Sequence, residues 1–219
     1  MLRHLIMLLI TSLVLFSCGE DSTPTTNNQP ETGELNVRLR IIPAGTLNPS
    51  DVVSMSKARV VLRNAEVKTS SGTSVALFQN GPIIVDLATI DTSGVIGTLS
   101  LPYAQYTEAS LSIGPLVQSD GTIYTDNRDL QNQSCSIAGF VTTLFTEPFE
   151  YTSNLTYETA KVLEQPILIS NQQIAEDLLI TIDLSEWFLD PEGSFIDPEP
   201  GENKDLIDAT IVNSIFLER

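Results

Sequence analysis

Hydrophobic and polar positions alternate with a period of two along most of the chain. Between residues 35 and 41 every second residue is aliphatic, and the residues between them are polar or charged. This alternation predicts a half-buried strand, because successive side chains of a strand point to opposite faces of its sheet. Turn residues separate many such segments. The strand-like segments are 35–41, 59–69, 75–78, 83–87, 95–101, 108–117, 135–144, 147–151, 161–169 and 178–184.

The pattern changes near the C terminus. Ser185 starts a short segment that predicts a single helical turn, with Ser185 as its cap. Residues 203–217 favour a helix, because Asn203 is a suitable N-cap and Asp205 stabilises a first turn. The apolar face of that helix would consist of Ile207, Ile211 and Ile215. A final strand at 210–217 is the alternative, because isoleucine and valine also favour strands.

Many short strands separated by turns, with no long amphipathic helix among them, are typical of a β-sandwich. The sequence therefore predicts a mainly β fold, an antiparallel β-sandwich with a short C-terminal helix.

The first 17 residues have the layout of a secretory signal peptide. Arg3 and His4 give a basic start, residues 5–16 are almost entirely apolar, and the small residue Ser17 precedes Cys18. As a helix, this apolar segment would span about 18 Å, well short of the ~30 Å hydrocarbon core of a membrane. The run LFSC that ends at Cys18 resembles a bacterial lipobox. The resemblance implies cleavage between Ser17 and Cys18 and transfer of a diacylglyceryl group to the thiol of Cys18.

Residues 19–33 contain no aliphatic or aromatic side chain and predict a disordered tether. Acyl chains on Cys18 would hold the protein on the outer membrane. Glu20-Asp21 resembles the acidic export signals of surface lipoproteins in the Bacteroidetes group, which implies a cell-surface position; a periplasm-facing position is the alternative. The predicted division is a signal peptide at 1–17, a lipidated cysteine with its tether at 18–33, and a single β-sandwich domain at 34–219.

The net charge of the chain and the near absence of histidine and cysteine exclude several classes of function. Loss of 17 of the 219 residues leaves 202 and removes Arg3, so 10 Lys and Arg stand against 28 Asp and Glu, a net charge of −18. Such an acidic chain is a poor partner for nucleic acid. The only histidine, His4, leaves with the signal, which excludes histidine-dependent catalysis and histidine-ligated metals. With Cys18 acylated, Cys135 has no disulfide partner, and we expect it to be a buried, inert thiol.

Segment 190–205 carries many carboxylates interspersed with glycine and proline. Without histidine, oxygen ligands are the metal-binding option, and they suit Ca²⁺. The predicted calcium ligands are Asp190, Glu192, Asp197 and Glu199. A hydrated acidic loop is the alternative, because the spacing does not match the twelve-residue calcium loop. Glu147 and Glu150 are three residues apart in a strand, on opposite faces, which disfavours a shared catalytic site.

Trp187 is the only tryptophan. We expect it to be a core residue that seats the C-terminal segment; a sugar-binding platform is the alternative. Most of the positive charge lies on the first two predicted strands, where pairing with acidic residues of neighbouring strands is expected and an acidic partner is the alternative. These basic residues are Arg38, Arg40, Arg59, Arg63 and Lys68.

Several short motifs lie on the predicted strands and turns: Gly33-Glu-Leu-Asn-Val37, Ala58-Arg-Val-Val-Leu62, Ile84-Val-Asp-Leu87, Leu101-Pro102-Tyr103 with Tyr106, Asp183-Leu-Ser-Glu-Trp187-Phe188 and Ile211-Val-Asn-Ser-Ile215. In these motifs the domain resembles a family of uncharacterised bacterial lipoproteins that have a transthyretin-like or carboxypeptidase-regulatory-like β-sandwich. The resemblance implies a transthyretin-like, Ig-like fold and a cell-envelope location, and it brings no catalytic residues.

These observations together predict a lipid-anchored, non-enzymatic binding or structural module of the outer membrane or cell surface, with a protein or glycan ligand. No cofactor is expected apart from Ca²⁺ at the acidic segment. One alternative is a calcium-assisted carbohydrate-binding module. Another is a pilin-like fimbrial subunit, which would be trimmed after Arg38 or Arg40 to open a groove for a strand of another subunit.

Overall fold

The computed structural model describes residues 31–43, 52–88, 93–142, 145–199 and 201–219. These residues form two β-sheets and few helices, so the predicted mainly β sandwich with a short C-terminal helix is confirmed. The strands are β1 (Thr32–Ile42), β2 (Val52–Thr69), β3 (Ser74–Ala76), β4 (Ile83–Asp86), β5 (Ser93–Pro102), β6 (Ala104–Ile113), β7 (Cys135–Thr142), β8 (Thr146–Ser153), β9 (Tyr157–Ile169), β10 (Ala175–Asp183) and β11 (Ile215–Glu218). The α-helices are α1 (Thr122–Asp126) and α2 (Lys204–Asn213).

The four-stranded sheet has the order β11-β10-β1-β5. β1 runs antiparallel to β5 but parallel to β10. A parallel pair needs a long crossover connection, and here the connection from β1 to β10 contains the whole of the other sheet. The remaining neighbours in this sheet are antiparallel, as the sequence predicts.

The seven-stranded sheet is built around β2, which has 18 residues. β7 pairs with residues 52–60 of β2 and β6 with residues 62–69, whereas β4 pairs with residues 59–62. Because β4 shares β2 residues with both β7 and β6, it must lie on the opposite side of β2 from them. β3 and β4 therefore form one margin of this sheet, and β8 and β9, which pair with β7 and β6, form the other.

The core lies between the two sheets and follows the sequence alternation. Leu35, Val37 and Leu39 of β1 are fully buried, and the side chains between them face solvent at least in part. Each such side chain contributes about 1.5–3 kcal/mol on burial. Trp187 is also fully buried, and its indole N–H donates to Ser214 Oγ at 2.7 Å. Trp187 is thus a core residue that joins the C-terminal segment to the sandwich, as predicted.

The C-terminal segment combines the two alternatives drawn from its sequence. α2 buries Ile207 and Ile211 as its apolar face, and β11 then begins at Ile215 and pairs with β10. Asn203 stands at the N-cap position, but its side chain donates to the Asp197 carbonyl at 2.8 Å and caps no N–H of α2. Helix and strand thus share the segment.

The helical turn before Trp187 is present as a 3-10 helix, Leu184–Glu186. Ser185 is not its cap, contrary to the prediction. Asp183 occupies that position, and its Oδ1 accepts the backbone N–H of Ser185 at 3.0 Å and the Ser185 hydroxyl at 2.6 Å. A carboxylate two residues before the N–H reaches it readily, as in other Asx turns.

Residues 114–134, which we call the helical insertion, join β6 to β7 and were not predicted as helical. They contain α1 between two 3-10 helices, Gln118–Asp120 and Arg128–Leu130. Leu116 and Leu130 bury their side chains against Val61 of β2 in a separate small cluster. Within the described residues, none of the helices has both the length and the apolar character needed to cross a membrane.

Candidate functional sites

The basic side chains of β1 and β2 all form ion pairs. Arg38 and Lys68 bind carboxylates of neighbouring strands, Asp177 at 2.8 Å and Glu108 at 3.0 Å, as predicted. Arg40 likewise pairs at 2.8 Å with a carboxylate of β11. These cations are therefore engaged within the domain and do not form an open basic surface.

Arg59 and Arg63 have partners that the sequence did not indicate, because both partners lie in the helical insertion. Arg63 binds Asp120 at 2.5 Å, and Arg59 binds Asp129 at 2.6 Å. Burial acts to raise the pKa of both carboxyl groups. The hydrogen bonds and attraction of the cations, joined at Asp120 by the backbone N–H of Val117, together outweigh burial and hold each pKa below its ordinary value. Lys57 also contributes at Asp129, at 2.6 Å. These ion pairs tie the insertion to β2.

The predicted lipidation and cleavage residues, Cys18 and Ser17, lie outside the described residues. Cys135 is fully buried at the start of β7, and burial raises the pKa of its thiol to about 12. Cys135 is thus buried, as predicted, and because a thiol needs its ionised form to act as a nucleophile, we expect it to be inert. Glu147 and Glu150 lie on β8 three residues apart.

The predicted calcium ligands mainly support their own backbone. Asp190 Oδ1 accepts the N–H groups of Glu192 at 3.0 Å and Ser194 at 2.7 Å. Asp197 Oδ1 accepts the N–H of Glu199 at 2.9 Å. Across the described ranges, no three His, Cys, Asp or Glu side chains are grouped as a metal site. Calcium binding by this segment stays a prediction.

A partly buried polar network fixes α2 on β8, and sequence reasoning missed it. The Tyr151 hydroxyl donates to Asp208 Oδ1 at 2.7 Å. Lys204 donates to Asp208 Oδ2 at 2.7 Å and to Ser153 Oγ at 2.6 Å. Burial, together with the Asp208 carboxylate, raises the pKa of Tyr151. The four side chains satisfy one another, which is what a buried polar group requires, so the network holds the helix in place.

An acidic groove of about 290 Å³ lies between α2, β11 and the segment after β10. Its apolar lining includes Leu206 and Phe216, which are 42% and 45% exposed. Three carboxylates also line it, those of Asp183, Glu186 and Asp190. None of the three forms an ion pair with a cation in the described part of the chain.

A second groove, of about 530 Å³, lies between β5 and the segment that joins β3 to β4. Leu77, Phe78 and Ile83 line one side, and Ile96 and Gly97 line the other. None of its lining residues within the described ranges is charged, and we call it the neutral groove. It runs along the open side of the sandwich, where the margins of both sheets meet.

Comparison with known proteins does not assign this chain to a family. No family model matches the sequence, and no curated protein matches it. Among solved structures, MbnP from Methylosinus trichosporium is similar over 76% of this chain and 80% of its own, with 11% sequence identity and a TM-score of 0.43. At that level, the likeness has no implication for function.

Proposed function

We propose that this chain is a lipid-anchored, non-enzymatic binding module of the cell envelope, and that its acidic groove binds a basic side chain of a protein partner. The observation that carries the binding role is the groove itself, in which an apolar floor lies beside three carboxylates that have no ion-pair partner among the described residues.

The chemistry of lysine and arginine fits this arrangement. Both have an apolar stem and a cationic head, and the stem packs on apolar surface while the head stays near water. Here Leu206 and Phe216 offer the apolar surface, and Glu186 offers the charge. An arginine head over the face of Phe216 gains a further cation–π contribution.

The size of the groove favours one side chain over a sugar chain. Sites for small molecules usually enclose about 300–1,000 Å³, and the acidic groove, at about 290 Å³, lies at the lower limit. Trp187, for which a sugar platform was the alternative to a core position, is fully buried. A protein partner is therefore favoured over a glycan.

The anchor rests on the sequence around Cys18. A surface with this excess of carboxylates does not adsorb to anionic lipid headgroups, whereas two or more acyl chains hold a protein stably, at ~0.8 kcal/mol per buried CH₂.

Changing Cys18→Ala should release the protein from membranes or leave an uncleaved precursor. Detergent phase partitioning measures this, with Cys135→Ala as the control that should stay membrane-bound. Continued acylation of the Cys18→Ala protein would contradict the lipobox hypothesis.

Binding at the acidic groove is tested with the peptide acetyl-Leu-Arg-Phe-Arg-amide and a neutral analogue in which glutamine replaces each arginine. Glu186→Gln should weaken binding of the basic peptide about two- to fivefold, since an exposed ion pair contributes about 0.5–1 kcal/mol. Glu192→Gln is the matched control, because Glu192 is an exposed carboxylate six residues further along the chain that does not line the groove. Isothermal titration calorimetry gives the affinities. Equal binding of the two peptides, or equal loss in both variants, would overturn the proposal.

A further inference from the structure

β5 is an outer strand of the four-stranded sheet, and it lacks the charged side chains that usually protect such strands, whereas a bulge at Ile96 and Pro102 at its end are present. Within the described residues it pairs on one side only, with β1. Natural outer strands usually carry lysine or other charges that prevent pairing with a further strand. The ten residues of β5 (SGVIGTLSLP) include no charged side chain. This edge is therefore open to pairing with another strand.

The interior beside β5 is incompletely filled. Gly97 is opposite Val37 in the sheet register, and Val37 is fully buried, so Gly97 occupies a position that faces the core. A Cβ added at Gly97 would meet no atom of the described residues within 4 Å. Gly97 lines the neutral groove, which is open at this point. The groove thus has room for an apolar side chain supplied by a neighbouring strand.

We propose that two copies of this chain associate through their β5 strands, which pair antiparallel and join the two four-stranded sheets into one. A register centred on Thr98 places Leu99 of the second copy opposite Gly97, at the spacing of about 5 Å between paired side chains. Leu99 packs in the core of its own sandwich, so the contact makes the two cores continuous beside Gly97. The twofold axis repeats the contact at Gly97 of the second copy. Such a contact uses the same surface on both copies and closes on itself, so it ends at the dimer.

Charge limits a second copy to this groove. Each chain carries a net charge of −17, so two copies repel one another over most of their surfaces. The neutral groove and β5 form a surface without charged residues, where that repulsion is weakest. A basic partner would find no carboxylate here, in contrast to the acidic groove.

Sedimentation velocity of the full chain in a non-ionic detergent, over a wide range of concentrations, tests the dimer. Gly97→Lys should raise its dissociation constant more than about tenfold, because a cation would be buried without a partner. Gly97 has no positive φ, so the variant is not strained in the monomer. The control is Val162→Lys on β9, an outer strand of the other sheet where Val162 is 72% exposed.

The wild-type dimer should also strengthen with salt, because screening weakens the repulsion between copies. Any one of three results would overturn the proposal. The protein could be monomeric at all concentrations, the dimer could be broken by Val162→Lys rather than by Gly97→Lys, or the dimer could weaken as salt is added.

A cross-link tests the register directly and does not depend on a destabilised variant. Thr98 is exposed and, at the centre of the proposed register, lies opposite itself in the second copy. Paired residues of antiparallel strands have Cα atoms about 4.5–5.5 Å apart, within the range for a disulfide. Thr98→Cys should form disulfide-linked dimers on mild oxidation, and Thr152→Cys, exposed on the outer strand β8, should not. Absence of the Thr98 cross-link, or equal cross-linking in both variants, would contradict the proposed register.

Discussion

The hydrogen bond between Trp187 and Ser214 should contribute strongly to the free energy of unfolding, because it joins the C-terminal segment to the core. The indole N–H donates to Ser214 Oγ at 2.7 Å, and both residues are almost completely buried, at 0% and 2% exposure. Ser214→Ala removes the acceptor and leaves the N–H without a partner. A buried unsatisfied donor costs about 1–3 kcal/mol. For a chain of this length, a loss of about 2 kcal/mol lowers Tm by about 4–8 °C.

Urea unfolding followed by far-UV circular dichroism measures this loss as a change in the free energy of unfolding. Ser194→Ala is the control, because Ser194 is exposed and its hydroxyl has no hydrogen-bond partner in the described part of the chain. We expect the control to change stability by less than about 0.5 kcal/mol. A Ser214→Ala protein as stable as that control would refute the assigned hydrogen bond.

A double-mutant cycle separates the hydrogen bond from the other contacts of Ser214. Its hydroxyl also donates to the Ile211 carbonyl at 2.6 Å, so Ser214→Ala loses two interactions. In a Trp187→Phe background there is no indole N–H to leave unsatisfied, and Ser214→Ala should then cost less than about 1 kcal/mol. An equal cost in both backgrounds would mean that the loss comes from the Ile211 contact.

Three further predictions concern titratable groups. Since burial raises the pKa of Cys135 to about 12, its thiol should resist a disulfide reagent at neutral pH and react only on unfolding; prompt labelling of the folded protein would contradict this. The lowered pKa of Asp120 means that its pairing with Arg63 stabilises the fold above the ordinary carboxyl pKa of about 3.9 and is lost as the pH falls through the lowered value. Acid unfolding of Asp120→Asn should lack this component, and an unchanged pH profile would contradict it. The calcium hypothesis predicts that millimolar Ca²⁺ raises Tm and that Asp190→Ala with Asp197→Ala abolishes the rise, whereas no rise would remove the hypothesis.

Sequence patterns predicted well the elements whose two faces differ in environment. The alternation at 35–41 located β1 to within a few residues, because one face of that strand packs in the core and the other bears ion-paired arginines. Trp187 and Cys135 were correctly expected in the core, since a large apolar ring and an unpartnered thiol are both favoured there.

Features that depend on distant residues were missed. The helical insertion has helices of three to five residues, too short to show a period, and its stability comes from contacts of Leu116 and Leu130 with Val61 and from ion pairs to β2. The parallel pairing of β1 with β10 joins segments about 140 residues apart, and nothing local specifies it. The vacancy beside Gly97 likewise becomes visible only when the register with Val37 is known.

The distribution of charge explains why this domain would use two different surfaces for two kinds of partner. The six basic side chains of β1 and β2 are each held in an ion pair, so they do little to offset the chain's 28 acidic residues, which outnumber its 11 basic ones. A cationic partner is then attracted to the domain generally. The acidic groove gives it a place to dock, because an apolar floor lies there beside carboxylates that form no ion pair among the described residues. A second copy is repelled by the same field and can approach closely only where side chains are neutral. The neutral groove meets that condition, and its open strand edge supplies backbone hydrogen bonds, which do not depend on charge. High salt should therefore weaken binding at the acidic groove and strengthen association at β5, and a change of both in the same direction would show that the two surfaces do not act independently.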